Sequence, residues 1–196
     1  FFSPYLPIEH PDAEEFLDIA TEGHPIQGLT TGITVSDDFL KKMLAGDPDA
    51  RKLWAKVLQR RSEIGFPYIL FSDNVNNGAP DVYKDLKLKI HASNMCSEIA
   101  LPSSPEETFT CVLSSVNVAK WDEVEKTDAI ETLVMFLDTV VTEFVNKTKN
   151  MPYFKRARQF AVRHRALGAG ILGWHSLLQS KMLAFEGQEA SKLNLH

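Results

Sequence analysis

Asn94-Met95-Cys96-Ser97-Glu98 places an amide, a thiol and a carboxylate at every second position. Side chains of an extended backbone alternate sides, so this spacing puts the three in one row, with Met95, Ser97 and Ile99 turned away. Neighbours in such a row stand roughly 7 Å apart at about 3.3 Å per residue, closer if the chain folds into a loop. A helix would instead stack Asn94 on Glu98 and turn Cys96 nearly opposite. Upstream, Leu86-Lys87-Leu88-Lys89-Ile90-His91 alternates apolar and polar residues, which predicts an extended approach. Pro102 and Pro105 predict that the segment leaves as a loop.

The trio narrows the chemistry. A nucleophilic cysteine needs a depressed pKa, usually from a nearby cation or a helix N-terminus. The nearest ionisable neighbour in the row is Glu98, an anion, which holds the sulfur as S–H. A protonated thiol beside a carboxylate and an amide suits hydrogen-atom or proton exchange with a polyhydroxy substrate and suits acyl transfer poorly. The alternative is that Cys96 is a small buried hydrophobe and Glu98 a solvated loop charge.

The rest of the chain reads as α/β. Pro11, followed by Asp12, Glu14 and Glu15, predicts a short helix through about Ala20. Thr21 to Gly32, with three glycines and a proline, predicts a loop. Ser36 caps a helix to Ala45 that stops at Gly46, and Asp47-Pro48 opens another that stops at Gly65. In the second, Leu53, Trp54, Val57 and Leu58 share a side. Pro67 to Phe71 predicts a short buried strand, Asn76-Asn77-Gly78-Ala79-Pro80 a turn, and Thr108 to Val118 a strand carrying Cys111. Thr127 or Asp128 caps a long helix with Ile130, Leu133, Val134, Leu137, Val140, Val141 and Phe144 as its apolar stripe. Strands alternating with helices predict a largely parallel sheet with helical crossovers. No apolar run is long enough to span a membrane.

Three other functions are excluded. Gly168-x-Gly170-x-x-Gly173 satisfies the dinucleotide fingerprint literally, but no strand with an acidic residue about twenty positions on follows it. Small residues at a strand-to-helix turn, letting the helix pack close, account for it better. The basic run Lys155, Arg156, Arg158, Arg163, His164 and Arg165 lies in a chain of net charge −5 and matches no nucleic-acid module. It reads as a solvated connector before a strand, or as a contact to another polypeptide. The six histidines and two cysteines lack the paired spacing of a metal site, so no metal ligands are expected.

A wider pattern runs through the chain. Ser93-Asn94-Met95-Cys96-Ser97-Glu98-Ile99-Ala100-Leu101-Pro102, followed by Cys111-Val112-Leu113-Ser114-Ser115-Val116-Asn117, resembles the catalytic large subunit of class I ribonucleotide reductase. The likeness extends to Tyr5-Leu6-Pro7-Ile8-Glu9-His10-Pro11, to Phe66-Pro67-Tyr68-Ile69-Leu70-Phe71 and to Arg165-Ala166-Leu167-Gly168-Ala169-Gly170-Ile171-Leu172-Gly173. It covers nearly the whole chain in the family's order. The resemblance implies part of a ten-stranded α/β barrel, with the cysteine segment as a finger loop at its centre and residues 1–196 as a central, incomplete portion of that domain.

By the same resemblance, Cys96 is the cysteine that becomes a thiyl radical and removes the 3′ hydrogen of the ribose. Glu98 takes the 3′-hydroxyl proton, and Asn94 orients the sugar hydroxyls and that carboxylate. Cys111 is one half of the redox pair whose oxidation to a disulfide supplies the reducing electrons. The Thr21–Gly32 loop matches the family's specificity loop, with Glu22, His24 and Gln27 as candidate readers of an effector or substrate base. The loop lacks the arginine often found there. The chain itself binds no cofactor; a radical-generating small subunit with a di-metal or metal-radical cofactor is implied, as are dNTP or ATP effectors on the full subunit. The implied partners are a ribonucleotide substrate, the remaining parts of the large subunit, thioredoxin or glutaredoxin, and a second large subunit. With only two cysteines, neither the redox partner of Cys111 nor the relay cysteines are expected within these residues. A piece of a split subunit or of a longer chain follows, working in a reducing cytosol, the host's if the source is viral. The competing reading is a remnant that keeps the fold without turnover, although a remnant has no need to keep Asn94, Cys96, Glu98 and Cys111 together.

Overall fold

Short parallel strands must be joined by crossovers long enough to return the chain to the same end of the sheet, and helices fill those crossovers here. The structure, a computed structural model, describes residues 3–195. It divides into two compact units, Phe1–Pro105 and Glu106–His196.

The first unit holds a three-stranded parallel sheet in the order β1 (Tyr5–Pro7), β2 (Gly32–Val35), β3 (Tyr68–Phe71). β2 is central and every residue of it is buried, whereas β3 lies at the edge and is only half-buried, with Phe71 exposed. The expectation of a buried strand at 67–71 is therefore corrected by sheet order. The strands β1 and β2, three and four residues long, were too short for their periodicity to announce them.

Helix α1 (Ala13–Phe16) is shorter than expected, because turns take over from Leu17. After β2 come α2 (Asp37–Leu44) and α3 (Pro48–Ile64), with the caps the sequence predicts. The Ser36 hydroxyl accepts from the Phe39 amide at 3.0 Å, and the Asp47 carboxylate from Asp49 and Ala50 at 3.1 and 2.9 Å. Gly65 ends α3 at φ +80°, the left-handed conformation that only glycine adopts without strain. The core joins Ile8, Leu17, Ile33, Val35, Phe39 and Val57, with Leu53, Trp54 and Ile69 packed against it. Each fully buried aliphatic side chain here contributes about 1.5–3 kcal/mol. Asp18 ties the end of the α1 segment to α3, accepting from Lys56 at 2.9 Å and Arg60 at 2.7 Å. That pair anchors the start of the 21–31 loop.

Beyond β3, α4 (Ser72–Asn77) runs through residues expected to begin a turn, and α5 (Asp81–Asp85) follows Pro80. Residues 86–91 form no strand. Lys87 takes a positive φ of 52°, and the Asn76 side chain occupies both backbone groups of Ile90, donating to its carbonyl and accepting from its amide at 2.9 Å. A side chain has replaced the neighbouring strand, and only Ile90 of the alternating set is buried.

The second unit pairs β4 (Val112–Asn117) with a parallel partner in register Val112↔Leu167 through Asn117↔Leu172. Between them lie α6 (Trp121–Val124), α7 (Ala129–Lys147) and α8 (Lys155–His164), before β5 (Leu167–Leu172). Then come α9 (Trp174–Ser180) and α10 (Gln188–Asn194). Cys111 precedes β4 rather than lying within it. Leu137 and Val141 of α7 are buried, whereas Ile130 and Val134 of the expected stripe are 43% and 42% exposed. Gly168 and Gly170 face β4: a methyl group at Gly168 would run into Leu113, and one at Gly170 would stand 3.1 Å from the Ser115 hydroxyl. The expected reason for these glycines, close helix packing, gives way to the strand beside them.

The basic run is a helix rather than a connector, although Lys155, Arg156 and Arg163 remain exposed as expected. Phe160 and Ala161 of α8 are buried, and the Phe160 ring stacks on His164 at 4.3 Å. Arg165, at φ +46°, ends α8 and donates to Asp138 of α7 at 2.7 Å. Arg163 and His164 reach the buried Glu107 at 3.4 and 3.2 Å. Among the described residues no helix is long and apolar enough to cross a membrane.

Burial works to raise the Glu107 pKa, but the hydrogen bonds from His164 and Arg163 and their charge outweigh it and hold the carboxyl below its usual value of 4.5. A depressed carboxyl pKa stabilises the fold fully above the unfolded value, and that stability is lost as pH falls through the folded value. Glu107→Gln should therefore cost about 1–3 kcal/mol at neutral pH. The gap between variant and wild type should close as pH drops below about 4.5. Denaturant titrations at pH 7 and pH 4 measure both; an equal gap at the two values would remove Glu107 from this role.

Candidate active site

Residues 94–98 form a tight turn, not an extended row. The Ser97 amide donates to the Asn94 carbonyl at 3.1 Å, and Ser97 sits at φ +65°. The Asn94 carboxamide explains why: its oxygen accepts from the amides of Glu98 and Ile99 at 3.2 and 3.3 Å, and its nitrogen donates to the Glu98 carboxylate at 2.7 Å. Asparagine side chains compete with strand pairing in this way. Asn94 and Glu98 thus meet directly, where the extended reading put them two places apart on a row. Cys96 is left at the apex, exposed.

Further contacts brace the turn. The Ser93 hydroxyl donates to the Ile99 carbonyl at 2.7 Å. From β1, the Tyr5 hydroxyl donates to the Asn94 carbonyl at 3.3 Å and lies 3.1 Å from the Ser97 hydroxyl. Nothing in the local sequence pointed to Tyr5; only its register beside Gly32 in the sheet brings it there. The arrangement offers an exposed thiol within a turn closed by an amide–carboxylate pair in which Asn94 engages one carboxylate oxygen. Such a set can exchange a hydrogen with a bound hydroxylated group while the carboxylate accepts a proton from it.

Cys111 lies in the second unit, half-buried. A methyl group at Gly168 would stand 3.4 Å from its sulfur, so the thiol lies along a glycine notch in β5. Among the described residues no group of three or more histidine, cysteine or acidic side chains could hold a metal ion.

The profile for the ribonucleotide reductase barrel domain matches residues 45–196. This chain belongs to the ribonucleotide reductase family. The alpha subunit of a class Id ribonucleotide reductase from Actinobacillus ureae has a solved structure that superposes with a TM-score of 0.89 at 54% identity, over 98% of this chain and 37% of that one. A large subunit of ribonucleoside-diphosphate reductase from Invertebrate iridescent virus 3 is 37% identical over 74% of this chain and 23% of its own. A Frog virus 3 protein assigned as such a large subunit is 34% identical over 98% of this chain and 38% of its own. The chain thus spans less than two-fifths of each of these reductase proteins. The likeness to the class I large subunit, and the α/β character of the fold, stand on these matches together with the parallel sheets.

Of the loop residues, Glu22 is exposed. His24 accepts from the Ile26 amide at 3.0 Å and lines a cavity of about 310 Å³ with Leu6, Phe16, Ile19 and Ile26. The Gln27 side-chain nitrogen donates to the carbonyls of Thr21 and His24 at 2.9 and 2.7 Å. Its amide donor is thereby committed to holding the loop.

The turn's geometry makes Asn94→Ala a direct test of what shapes it. The Glu98 and Ile99 amides lose their acceptor, and each hydrogen bond is worth about 1 kcal/mol. Their hydrogen exchange should accelerate on the order of tenfold. Unchanged protection at both amides would show that the turn holds without the carboxamide.

Proposed function

We propose that this chain is a central segment of the catalytic barrel of a class I ribonucleotide reductase large subunit. In the assembled enzyme it takes part in reducing ribonucleoside diphosphates to 2′-deoxyribonucleotides. The observation that carries the reading is the turn at 94–98: an exposed thiol at the apex over an asparagine joined to a glutamate, in a chain matching the reductase barrel domain. The finer architecture proposed is a ten-stranded barrel completed by the rest of the subunit, supplied as a longer chain or as separate polypeptides.

In this reading Cys96, oxidised to a thiyl radical, takes the 3′ hydrogen atom of the ribose and becomes S–H. Glu98 accepts the 3′-hydroxyl proton and gives it back when the 3′-hydroxyl re-forms. Asn94 holds that carboxylate and a sugar hydroxyl in place. Loss of the 2′ oxygen as water consumes two electrons and two protons, which a dithiol containing Cys111 gives up as it closes to a disulfide. The hydrogen atom then returns to C3′ and regenerates the Cys96 radical. The small subunit's cofactor supplies the oxidising equivalent that starts the cycle, and thioredoxin or glutaredoxin restores the dithiol. Glu22, His24 and Gln27 belong to the loop through which an effector nucleotide selects the substrate base. Reduced thiols at both cysteines suit a cytosolic setting.

Cys96→Ser keeps the size but replaces S–H with a much stronger O–H bond. A reductase assembled with this variant should bind substrate within about twofold of wild type and form no deoxynucleotide; turnover near wild type sinks the radical assignment.

Cys111 should be found in a disulfide after a single turnover, with a cysteine from outside residues 1–196. Cys96 must return as a thiol each cycle and is not that partner. Peptide mapping by mass spectrometry after one turnover reads the linkage, and a Cys96–Cys111 bridge as the main product would refute the assignment.

A further inference from the structure

We propose that Tyr5 is a positioning residue for Cys96, setting the height of the cysteine turn through a relay of two hydroxyls; the inference rests on the reductase reading above. The Tyr5 hydroxyl has one proton to give and lone pairs to receive one. Its neighbours divide these roles without conflict: the Asn94 carbonyl, at 3.3 Å, can only accept, and the Ser97 hydroxyl, at 3.1 Å, can donate. Tyr5 therefore grips the turn on both sides of Cys96, at the first and last of its four residues.

The grip comes from a rigid base. Tyr5 opens β1 and pairs in register with Gly32 of the buried central strand. A side chain at Gly32 would run into the Tyr5 ring, so the ring lies directly on the β2 backbone. The Gly32 amide donates to the Pro4 carbonyl at 3.0 Å, and Tyr68 donates to Thr31 at 2.8 Å, which fixes that backbone on both sides. The turn's own bonds are local, joining residues 93–99 to one another. They define its shape, while Asn76 holds the approach at Ile90 four residues earlier. Tyr5 is the tie from the sheet to the turn itself, and it stands where the 21–31 loop enters β2.

The reach matters because hydrogen-atom transfer needs near-contact geometry, and misplacement by about 1 Å can cost on the order of 100-fold. A phenylalanine at position 5 keeps the ring on Gly32 and removes only the grip. In the assembled reductase, Tyr5→Phe should lower kcat on the order of 10- to 100-fold while KM for the ribonucleotide stays within about twofold. Ser97→Ala breaks one arm of the same relay and should lower kcat less. The double variant should be no worse than Tyr5→Phe alone, because both act through one hydroxyl.

Three outcomes overturn the proposal: kcat of Tyr5→Phe within twofold of wild type, a raised KM with unchanged kcat, or independent, multiplying losses in the double variant. Cys96→Ser run alongside separates the two claims. If Cys96→Ser is inactive and Tyr5→Phe is fully active, only the positioning role fails. If Cys96→Ser turns over, the reductase reading fails and takes this one with it.

Discussion

The carboxamide of Asn94 is the constraint on which the site depends. It gives the backbone an acceptor that no neighbouring strand provides, and in doing so bends the chain where an alternating pattern would have kept it straight. The same group then reaches the Glu98 carboxylate. One side chain thus closes the turn and fixes the acid within it. An aspartate would have the acceptor but not the donor, and would set two carboxylates against each other. A serine is too short to do both. The residue type follows from needing an acceptor and a donor on one short, planar arm.

That bend explains the spacing of the trio better than a shared strand face does. Over the five residues 94–98 the ends approach and the middle projects, so positions i and i+4 can bond while i+2 stands clear. Cys96 is at that middle position, exposed and not committed to holding the turn. The groups that keep the loop in shape and the group proposed to react are therefore separated. A thiol free of structural duty can change state without unfolding its own support.

Much of the first unit was legible. The Ser36 and Asp47 caps and Gly65 announce α2 and α3 because capping is local chemistry, readable from adjacent residues. The long helix α7 was legible from its apolar periodicity rather than its cap, since Asp128 makes no side-chain capping bond, and the α/β class from the alternation of elements. What escaped depends on partners distant in sequence. Residues 86–91 alternate like a strand, but Asn76, fourteen positions from Ile90, takes the backbone groups a strand would need. The ties of Arg163 and His164 in the run from Lys155 to Arg165 escaped because Glu107, which receives them, lies more than fifty residues upstream. The identities of Asn94, Cys96 and Glu98 were readable, their mutual geometry was not, and Tyr5 was invisible until β1 and β2 were paired.

The second unit carries its own argument about Cys111. Exposure alternates along β4, with Leu113, Ser115 and Asn117 exposed and Val112, Ser114 and Val116 half-buried. Leu113 is 54% exposed and Leu172, opposite Asn117, 50%. The exposed face is mixed, with Leu113 and Leu172 beside Ser115, Asn117 and two glycines. Cys111 lies just before this strand, two residues from Leu113, with its sulfur along the Gly168 notch. A side chain at Gly168 would collide with Leu113 and would meet the Cys111 sulfur only at ordinary contact distance, 3.4 Å. The glycine that mimics a dinucleotide fingerprint in sequence is thus explained by the leucine of the neighbouring strand that lies across it, with the cysteine at the margin of the same contact.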